Sequence, residues 1–179
     1  MSPTLPKVTL VLGGARSGKS RFAEGLIAAH PGRPVYLATA QAGDAEMAER
    51  IRRHRARRGD AWTTLEEPLE LPRALASATR DRDKEAVLVD CLTLWLSNLM
   101  GANRNVETET RSLVESLPDL AAPVVFVSNE VGLGIVPDNA LARTFRDHAG
   151  FLHQAIAAAA DRVYFIAAGI PVLLKKEDQ

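Results

Sequence analysis

The segment from Gly13 to Ser20 constrains this chain more than any other feature. It matches the pattern G-x-x-x-x-G-K-[ST]. The apolar run from Val8 to Leu12 before it predicts a buried strand, and the spacing of Phe22 and Leu26 after it predicts a helix. A strand, a glycine-rich turn and a helix in this order predict a P-loop, in which backbone N–H groups and the helix N-terminus surround phosphate oxygens. The expected phosphate contacts are Gly13, Gly14, Ala15, Arg16, Ser17, Gly18, Lys19 and Ser20.

Three residues, two in this loop and one further along the chain, have roles that follow from their chemistry. Lys19 is expected to reach the terminal phosphates and to act in catalysis, and the Ser20 hydroxyl is expected to bind Mg²⁺. The apolar run from Val87 ends at Asp90, which is the place of a Walker-B acid. Asp90 is therefore predicted to contact the metal or the nucleotide; the alternative is a cap for the helix that follows.

Short apolar strands alternate with helices along the whole chain. This pattern predicts an α/β fold of the P-loop NTPase type: a mostly parallel central sheet in RecA-like order, helices on both faces and a C-terminal edge strand. We expect one domain over residues 1–179, in which 1–7 is a short N-terminal extension. The predicted strands are 8–12, 35–38, 62–65, 86–90, 124–127, 163–167 and 172–174, and the predicted helices are 19–29, 45–58, 69–78, 92–100, 108–117 and 139–160.

Composition bears on which partners and which cellular compartment we expect for the chain. Basic and acidic residues balance at 22 each, which argues against extended nucleic-acid contact. The one cysteine, Cys91, cannot form an intramolecular disulfide, and no apolar run approaches the ~20 residues that span a bilayer. We therefore expect a cytoplasmic protein without membrane insertion. The apolar segment 92–100, which contains Trp95, is compatible with a core helix and with a subunit interface.

A basic segment surrounds one histidine. Six arginines lie between Arg50 and Arg58, and His54 shares a helical stripe with Met47 and Ile51. In one interpretation this is a solvated basic face with a histidine at the edge of the core. In the other, the guanidinium groups bind phosphates and keep His54 neutral, the form in which a ring nitrogen can attack phosphorus.

The remaining histidines show weaker patterns. His30 ends a helix before a proline, where a cation suits the helix C-terminus. His148 falls near a stripe with Phe145 and Leu152 and is interpreted as structural. His153 lies in the same predicted helix, and no role is assigned to it.

Several segments together resemble the bifunctional adenosylcobinamide kinase and adenosylcobinamide-phosphate guanylyltransferase family of cobalamin assembly. They occur in order over nearly the whole chain, so the resemblance is more specific than a P-loop alone. The matching segments are 13–21, 36–40, 46–48 with 50–51 and His54, Trp62 with Glu66, 90–93, 128–132 with 134–137, 141–143 with 145–147, and 158–161.

The resemblance implies two reactions. The family phosphorylates the aminopropanol hydroxyl of adenosylcobinamide with ATP or GTP. It then transfers GMP from GTP onto adenosylcobinamide phosphate, which gives adenosylcobinamide-GDP and pyrophosphate. The second reaction proceeds through a guanylylated histidine, and His54 matches that position. The resemblance also implies a homo-oligomer, specifically a trimer.

The resemblance extends the set of expected nucleotide contacts beyond the P-loop. One departure concerns Asp90, where some members have glutamate; the shorter side chain reaches less far toward a guanine or a metal. The further contacts are Ala38, Thr39, Ala40, Arg55, Ala56, Arg57, Arg58, Glu66 and Asp90.

No residue pattern marks a general base for the kinase step. Glu130 is a candidate only because it ends a predicted strand, and the loop 131–137 after it is where we expect the corrinoid. Two other functions remain open at this stage: a P-loop small-molecule kinase without a covalent intermediate, and a nucleotide-dependent binding protein.

Overall fold

The computed structural model describes residues 5–40, 61–80 and 85–176. The predicted helix 45–58, with His54 and the segment 55–58, lies outside these residues. The strands are β1 Val8–Gly13, β2 Arg33–Ala38, β3 Thr63–Glu66, β4 Glu85–Asp90, β5 Val124–Asn129, β6 Arg162–Ala167 and β7 Ile170–Lys176. The helices are α1 Lys19–Ala28, α2 Leu71–Ala78, α3 Leu92–Gly101, α4 Val106–Ser116 and α5 Ala140–Ala159, with a 3₁₀ turn at Leu117–Asp119.

The strands form one sheet in the order β3-β2-β4-β5-β1-β6-β7. Every neighbouring pair of strands in this sheet is parallel except the last, in which β7 pairs antiparallel with β6 at the sheet edge. The strand that ends at Asp90 is separated from the P-loop strand by β5, as a RecA-like order requires. The predicted P-loop NTPase fold with a C-terminal edge strand is confirmed.

Helices cover both faces of the sheet. Successive side chains of β1 point to opposite faces, and each face packs against its own helices. Leu10 and Leu12 join the larger core, which contains buried residues of α2 to α5. Val11 joins the smaller core with Ala23 and Ile27 of α1. A central strand that is apolar on both faces is typical of a parallel sheet between two helix layers.

The segment 92–100 is a core helix. Leu92, Trp95, Leu96 and Leu99 of α3 are fully buried within the chain. The indole Nε1–H of Trp95 donates to the carbonyl of Leu69 at 2.8 Å, so burial leaves this polar group paired. Of the two predictions made for this segment, the core helix is the one that the structure confirms.

Helix α5 faces the core partly along the predicted stripe. The buried residues are Ala149, Leu152, His153 and Ile156, and the partly buried Phe145 packs against the same core. Leu152 and Phe145 therefore lie on the core side, and His148 is half-buried at the border of this face. The buried histidine of the helix is His153, to which the sequence assigned no role.

None of the described helices is long and apolar enough to cross a membrane.

Candidate nucleotide-binding site

The turn between β1 and α1 has the shape of a phosphate loop. Gly18 precedes the first helical residue with φ 98°, and Arg16 also has a positive φ of 56°. The Ser17 N–H donates to the Gly14 carbonyl at 3.3 Å, which closes the turn. A side chain at Gly18 would be strained by its φ and would place a Cβ 3.2 Å from the Cα of Gly169.

The loop is fixed from two sides by backbone hydrogen bonds. On the β5 side, the Glu130 N–H donates to the Gly13 carbonyl at 3.0 Å. On the β6 side, the N–H of Gly169, in the β6–β7 turn, donates to the Ser17 carbonyl at 2.8 Å. A Cβ on Gly13 would lie 2.7 Å from the Ile166 carbonyl oxygen, so the loop base packs directly against β6. These contacts fix the backbone that would face phosphates.

Lys19 brings a cation to the same loop. Its side chain is buried, and Nζ donates to the Gly14 carbonyl at 3.0 Å. The Ser17 hydroxyl, in contrast, is buried against the base of the loop, 2.6 Å from where a Cβ on Gly13 would stand. Lys19 can therefore supply side-chain charge to a phosphate, whereas Ser17 is placed to contribute through its backbone.

Three neighbouring strand ends carry further contacts that were predicted for the nucleotide. Ala38 is aligned with Asp90 on one side and with Glu66 on the other, so these residues end neighbouring parallel strands. The Tyr36 hydroxyl donates to Asp90 Oδ2 at 3.2 Å, which orients the carboxylate. The carboxyl ends of parallel strands are the usual ligand side of an open α/β sheet.

Thr39 joins these strand ends through its side chain. Its hydroxyl donates to the Cys91 carbonyl at 2.7 Å and accepts from the Cys91 N–H at 2.9 Å. Asn98 of α3 donates from Nδ2 to the carbonyls of Thr39 and Pro68 at 2.8 and 3.1 Å. The Thr39 hydroxyl is thus used within the protein. Burial raises the pKa of the Cys91 thiol, which stays protonated.

The candidate metal ligands suit an ion that arrives with the nucleotide. The described part of the chain holds no group of three or more His, Cys, Asp or Glu residues that could bind a metal. Mg²⁺ in phosphate sites typically needs only one or two carboxylates, with water and phosphate oxygens completing the octahedron. Ser20, at the start of α1, and Asp90, at the end of β4, fit that type of site.

A buried histidine lies behind the strand next to the phosphate loop. His153 Nε2 is 2.7 Å from the Ser128 hydroxyl, and Nδ1 is 3.7 Å from Glu130 Oε2. Burial lowers the pKa of His153, while the Glu130 carboxylate acts in the opposite direction. Sequence reasoning missed this cluster. The two partners of His153 lie 25 and 23 positions before it in the sequence. The only sequence signal for them was the polar triplet 128–130 at the end of β5.

The described part of the predicted site converges on one edge of the sheet. The P-loop residues 13–20 run from the end of β1 into α1. Ala38 ends β2 and is followed by Thr39 and Ala40, and Glu66 and Asp90 end β3 and β4. His54 and the contacts at 55–58 lie outside the described residues, so their place in the site stays a prediction. The corrinoid contact of loop 131–137 also stays a prediction; Leu133, Ile135 and Val136 in that loop are exposed.

We expect Gly13→Ala to weaken nucleotide binding by about tenfold or more, because the new Cβ would force the loop base away from β6. Titration with a fluorescent GTP analogue checks this. Gly25→Ala in α1 is the matched control, since nothing lies within 4 Å of its Cβ position. Equal affinities for both variants would contradict a rigid loop base.

We expect acidification to destabilise the wild type more than His153→Leu. The unfolded histidine binds a proton below about pH 6.5, whereas burial lowers the pKa in the folded state. This contribution to stability is therefore present above the unfolded pKa and is lost as pH falls through the folded one. Urea unfolding at about pH 7.5 and about pH 5.5 measures it. An equal loss of unfolding free energy in the two proteins would show that His153 is not responsible.

Comparison with solved structures supports the fold. The chain is similar to a Pyrococcus horikoshii OT3 protein with a TM-score of 0.59 and 9% identity, over 99% of this chain and 90% of that one. It is also similar to the flagellar accessory protein FlaH of Methanocaldococcus jannaschii, with a TM-score of 0.54 and 10% identity, over 97% and 80% of the two chains. At these identities the likeness shows the fold alone.

Sequence comparison is more specific. The profile described as cobinamide kinase / cobinamide phosphate guanyltransferase, CobU, matches residues 9–174. The bifunctional adenosylcobalamin biosynthesis protein CobP of Pseudomonas aeruginosa is 53% identical, over 94% of this chain and 97% of that protein. The corresponding CobU of Salmonella typhimurium is 41% identical, over 93% and 98%. With a phosphate loop, an acidic strand end and these relatives, the chain belongs to the cobinamide kinase / cobinamide phosphate guanyltransferase family.

Proposed function

We propose that this protein phosphorylates adenosylcobinamide with ATP or GTP and then transfers GMP from GTP to adenosylcobinamide phosphate. The products of the second reaction are adenosylcobinamide-GDP and pyrophosphate. The observation that carries the proposal is the phosphate loop with buried Lys19 in the same sheet as the strand that ends at Asp90, with one strand between them, in a member of this family.

The phosphate loop suits both reactions because each moves negative charge onto phosphate oxygens. In the kinase step the charge goes to a departing nucleoside diphosphate, and in the guanylyl step it goes to pyrophosphate. Loop amides and the Lys19 ammonium are placed to stabilise either leaving group without rearrangement. Ser20 and Asp90 would hold Mg²⁺, which supplies neutralisation of phosphate charge when bound.

His54 is the proposed nucleophile of the guanylyl step. A neutral ring nitrogen attacks the α-phosphorus of GTP, and the bond from that phosphorus to the β-phosphate oxygen breaks. The phosphate of adenosylcobinamide phosphate then attacks the same phosphorus, and the bond to the histidine breaks. The proposal is supported by the match of His54 to the family position and by the six arginines around it, which favour a neutral imidazole.

Incubation with Mg²⁺ and GTP labelled at the α-phosphorus should leave label on the denatured wild-type chain. The label should survive alkali and be lost in acid, as a histidine phosphoramidate does, and His54→Ala should abolish it. His148→Ala is the matched control and should be labelled like the wild type. GTP labelled at the γ-phosphorus should label none of these proteins, because pyrophosphate leaves.

Two results would contradict the covalent mechanism. One is an unlabelled wild type that still transfers a γ-phosphate to adenosylcobinamide; this protein would be a kinase without a covalent intermediate. The other is a wild type that binds nucleotide and carries out neither transfer, which would favour a binding protein.

We also propose that the protein is a homo-oligomer, a trimer by family resemblance. The edge strand β7 supports this, since Ile170, Val172, Leu173 and Leu174 are all between 47% and 65% exposed. Sedimentation velocity should give a mass near three times the 19.4 kDa of the chain. The double variant Val172→Lys/Leu174→Lys should lower that mass, because it places two charges on the exposed apolar strand. A monomeric wild type would contradict the proposal.

A further inference from the structure

Glu130 is held at the edge of the phosphate loop by main-chain contacts. Its N–H donates to the Gly13 carbonyl at 3.0 Å, in register with the β1–β5 pairing that aligns Gly13 with Asn129. Its carboxylate Oε1 accepts from the Gly132 N–H, which folds the side chain over its own loop. The side chain is 22% exposed, so the carboxylate is fixed and also open to solvent.

His153 approaches the other carboxylate oxygen from the protein interior. The imidazole is 7% exposed, and its Nδ1 is 3.7 Å from Glu130 Oε2. Its Nε2 is 2.7 Å from the hydroxyl of Ser128, which is fully buried. If the hydroxyl donates to Nε2, a neutral imidazole carries its proton on Nδ1, and this N–H faces Glu130. The assignment of the proton follows from these two partners.

The neutral state of His153 determines what kind of contact the ring makes with Glu130. Burial lowers the pKa of His153, so an uncharged ring faces the carboxylate near neutral pH. Within residues 5–40, 61–80 and 85–176, no lysine or arginine forms an ion pair with Glu130. The separation of 3.7 Å between Nδ1 and Oε2 is too long for a hydrogen bond from the neutral ring, so the Gly132 N–H fixes the carboxylate and His153 packs against it.

We propose that Glu130 accepts the proton of the substrate hydroxyl in phosphoryl transfer and that His153, held by Ser128, is a positioning residue for it. This inference rests on the proposed function. As the hydroxyl oxygen bonds to the γ-phosphorus, its proton passes to the Glu130 carboxylate. The bond from the γ-phosphorus to the β–γ bridging oxygen breaks and leaves a nucleoside diphosphate. The exposed carboxylate then returns the proton to water.

The two half-reactions differ in their need for this base. The hydroxyl attacks with a proton to lose, whereas an imidazole nitrogen attacks with a lone pair and the phosphate acceptor attacks as an anion. Loss of the Glu130–His153 pair should therefore slow phosphoryl transfer and spare covalent guanylylation, although both use the same phosphate loop. A general loss of structure would slow both.

The test compares two rates in the full-length protein: phosphorylation of adenosylcobinamide by γ-labelled ATP, and covalent labelling by α-labelled GTP. Glu130→Gln should lower the kcat of phosphorylation by about 10²- to 10⁴-fold. His153→Leu should lower that kcat by about tenfold, with the KM for ATP and the labelling rate within about twofold of wild type. His153→Asn, whose amide nitrogen can occupy the place of Nδ1, should recover much of the loss. His148→Gln, on the same helix, is the control and should match the wild type in both rates.

Three results would overturn the inference. They are full phosphorylation by Glu130→Gln, an equal fall of both rates in His153→Leu, and no recovery in His153→Asn. If the wild type phosphorylates but takes no label, the proposed guanylyl transfer is wrong; the affinity for a fluorescent GTP analogue then replaces labelling as the second readout. A wild type that does not phosphorylate adenosylcobinamide overturns the inference together with the proposed kinase.

Discussion

Two backbone hydrogen bonds hold the phosphate loop in its shape: from the Glu130 N–H to the Gly13 carbonyl and from the Gly169 N–H to the Ser17 carbonyl. A loop that turns its amides inward must turn carbonyls outward, and buried carbonyls need partners. The ends of β5 and β6 supply those partners on either side of β1. The binding loop therefore depends on the strand order, because β5 and β6 flank β1 in the sheet.

The strand ends with the further predicted contacts are tied together in the same way, through polar groups directed at the backbone. The Thr39 hydroxyl bonds both the N–H and the carbonyl of Cys91, and Asn98 of the buried helix α3 bonds the Thr39 carbonyl. The ends of β2 and β4 are thereby fixed to each other and to the core. A site built this way is preorganised, and preorganised dipoles are the main source of stabilisation for charge that develops during phosphoryl transfer.

Sequence reasoning found what is encoded locally. The phosphate loop, the buried strands and Asp90 at a strand end all follow from patterns within ten residues. The strand predicted at 172–174 runs from Ile170 to Lys176, because its length is set by antiparallel pairing with β6. The burial of His153 was not predicted, because the phase of a long helix depends on where it meets the sheet; His148, interpreted as structural, is half-buried. The hydrogen bonds of the Thr39 hydroxyl could not be predicted from the sequence either, since its partner, Cys91, is 52 residues away.

A single phosphate loop that serves two transfers faces a problem of selectivity. The loop amides and Lys19 act on phosphate oxygens whichever phosphorus is attacked, so they cannot by themselves choose between the α- and γ-positions. The choice must come from the nucleophile and from whatever removes its proton. Glu130 lies beside the loop on the β5 side, joined to Gly13 through the backbone, and it can assist only a nucleophile that carries a proton. In the proposed mechanism, a carboxylate fixed there favours the hydroxyl at the γ-phosphorus and gives no advantage to the histidine nitrogen at the α-phosphorus. If Glu130 is the base as proposed, rigid phosphate binding and a separately positioned base would allow one phosphate loop to support two different reactions.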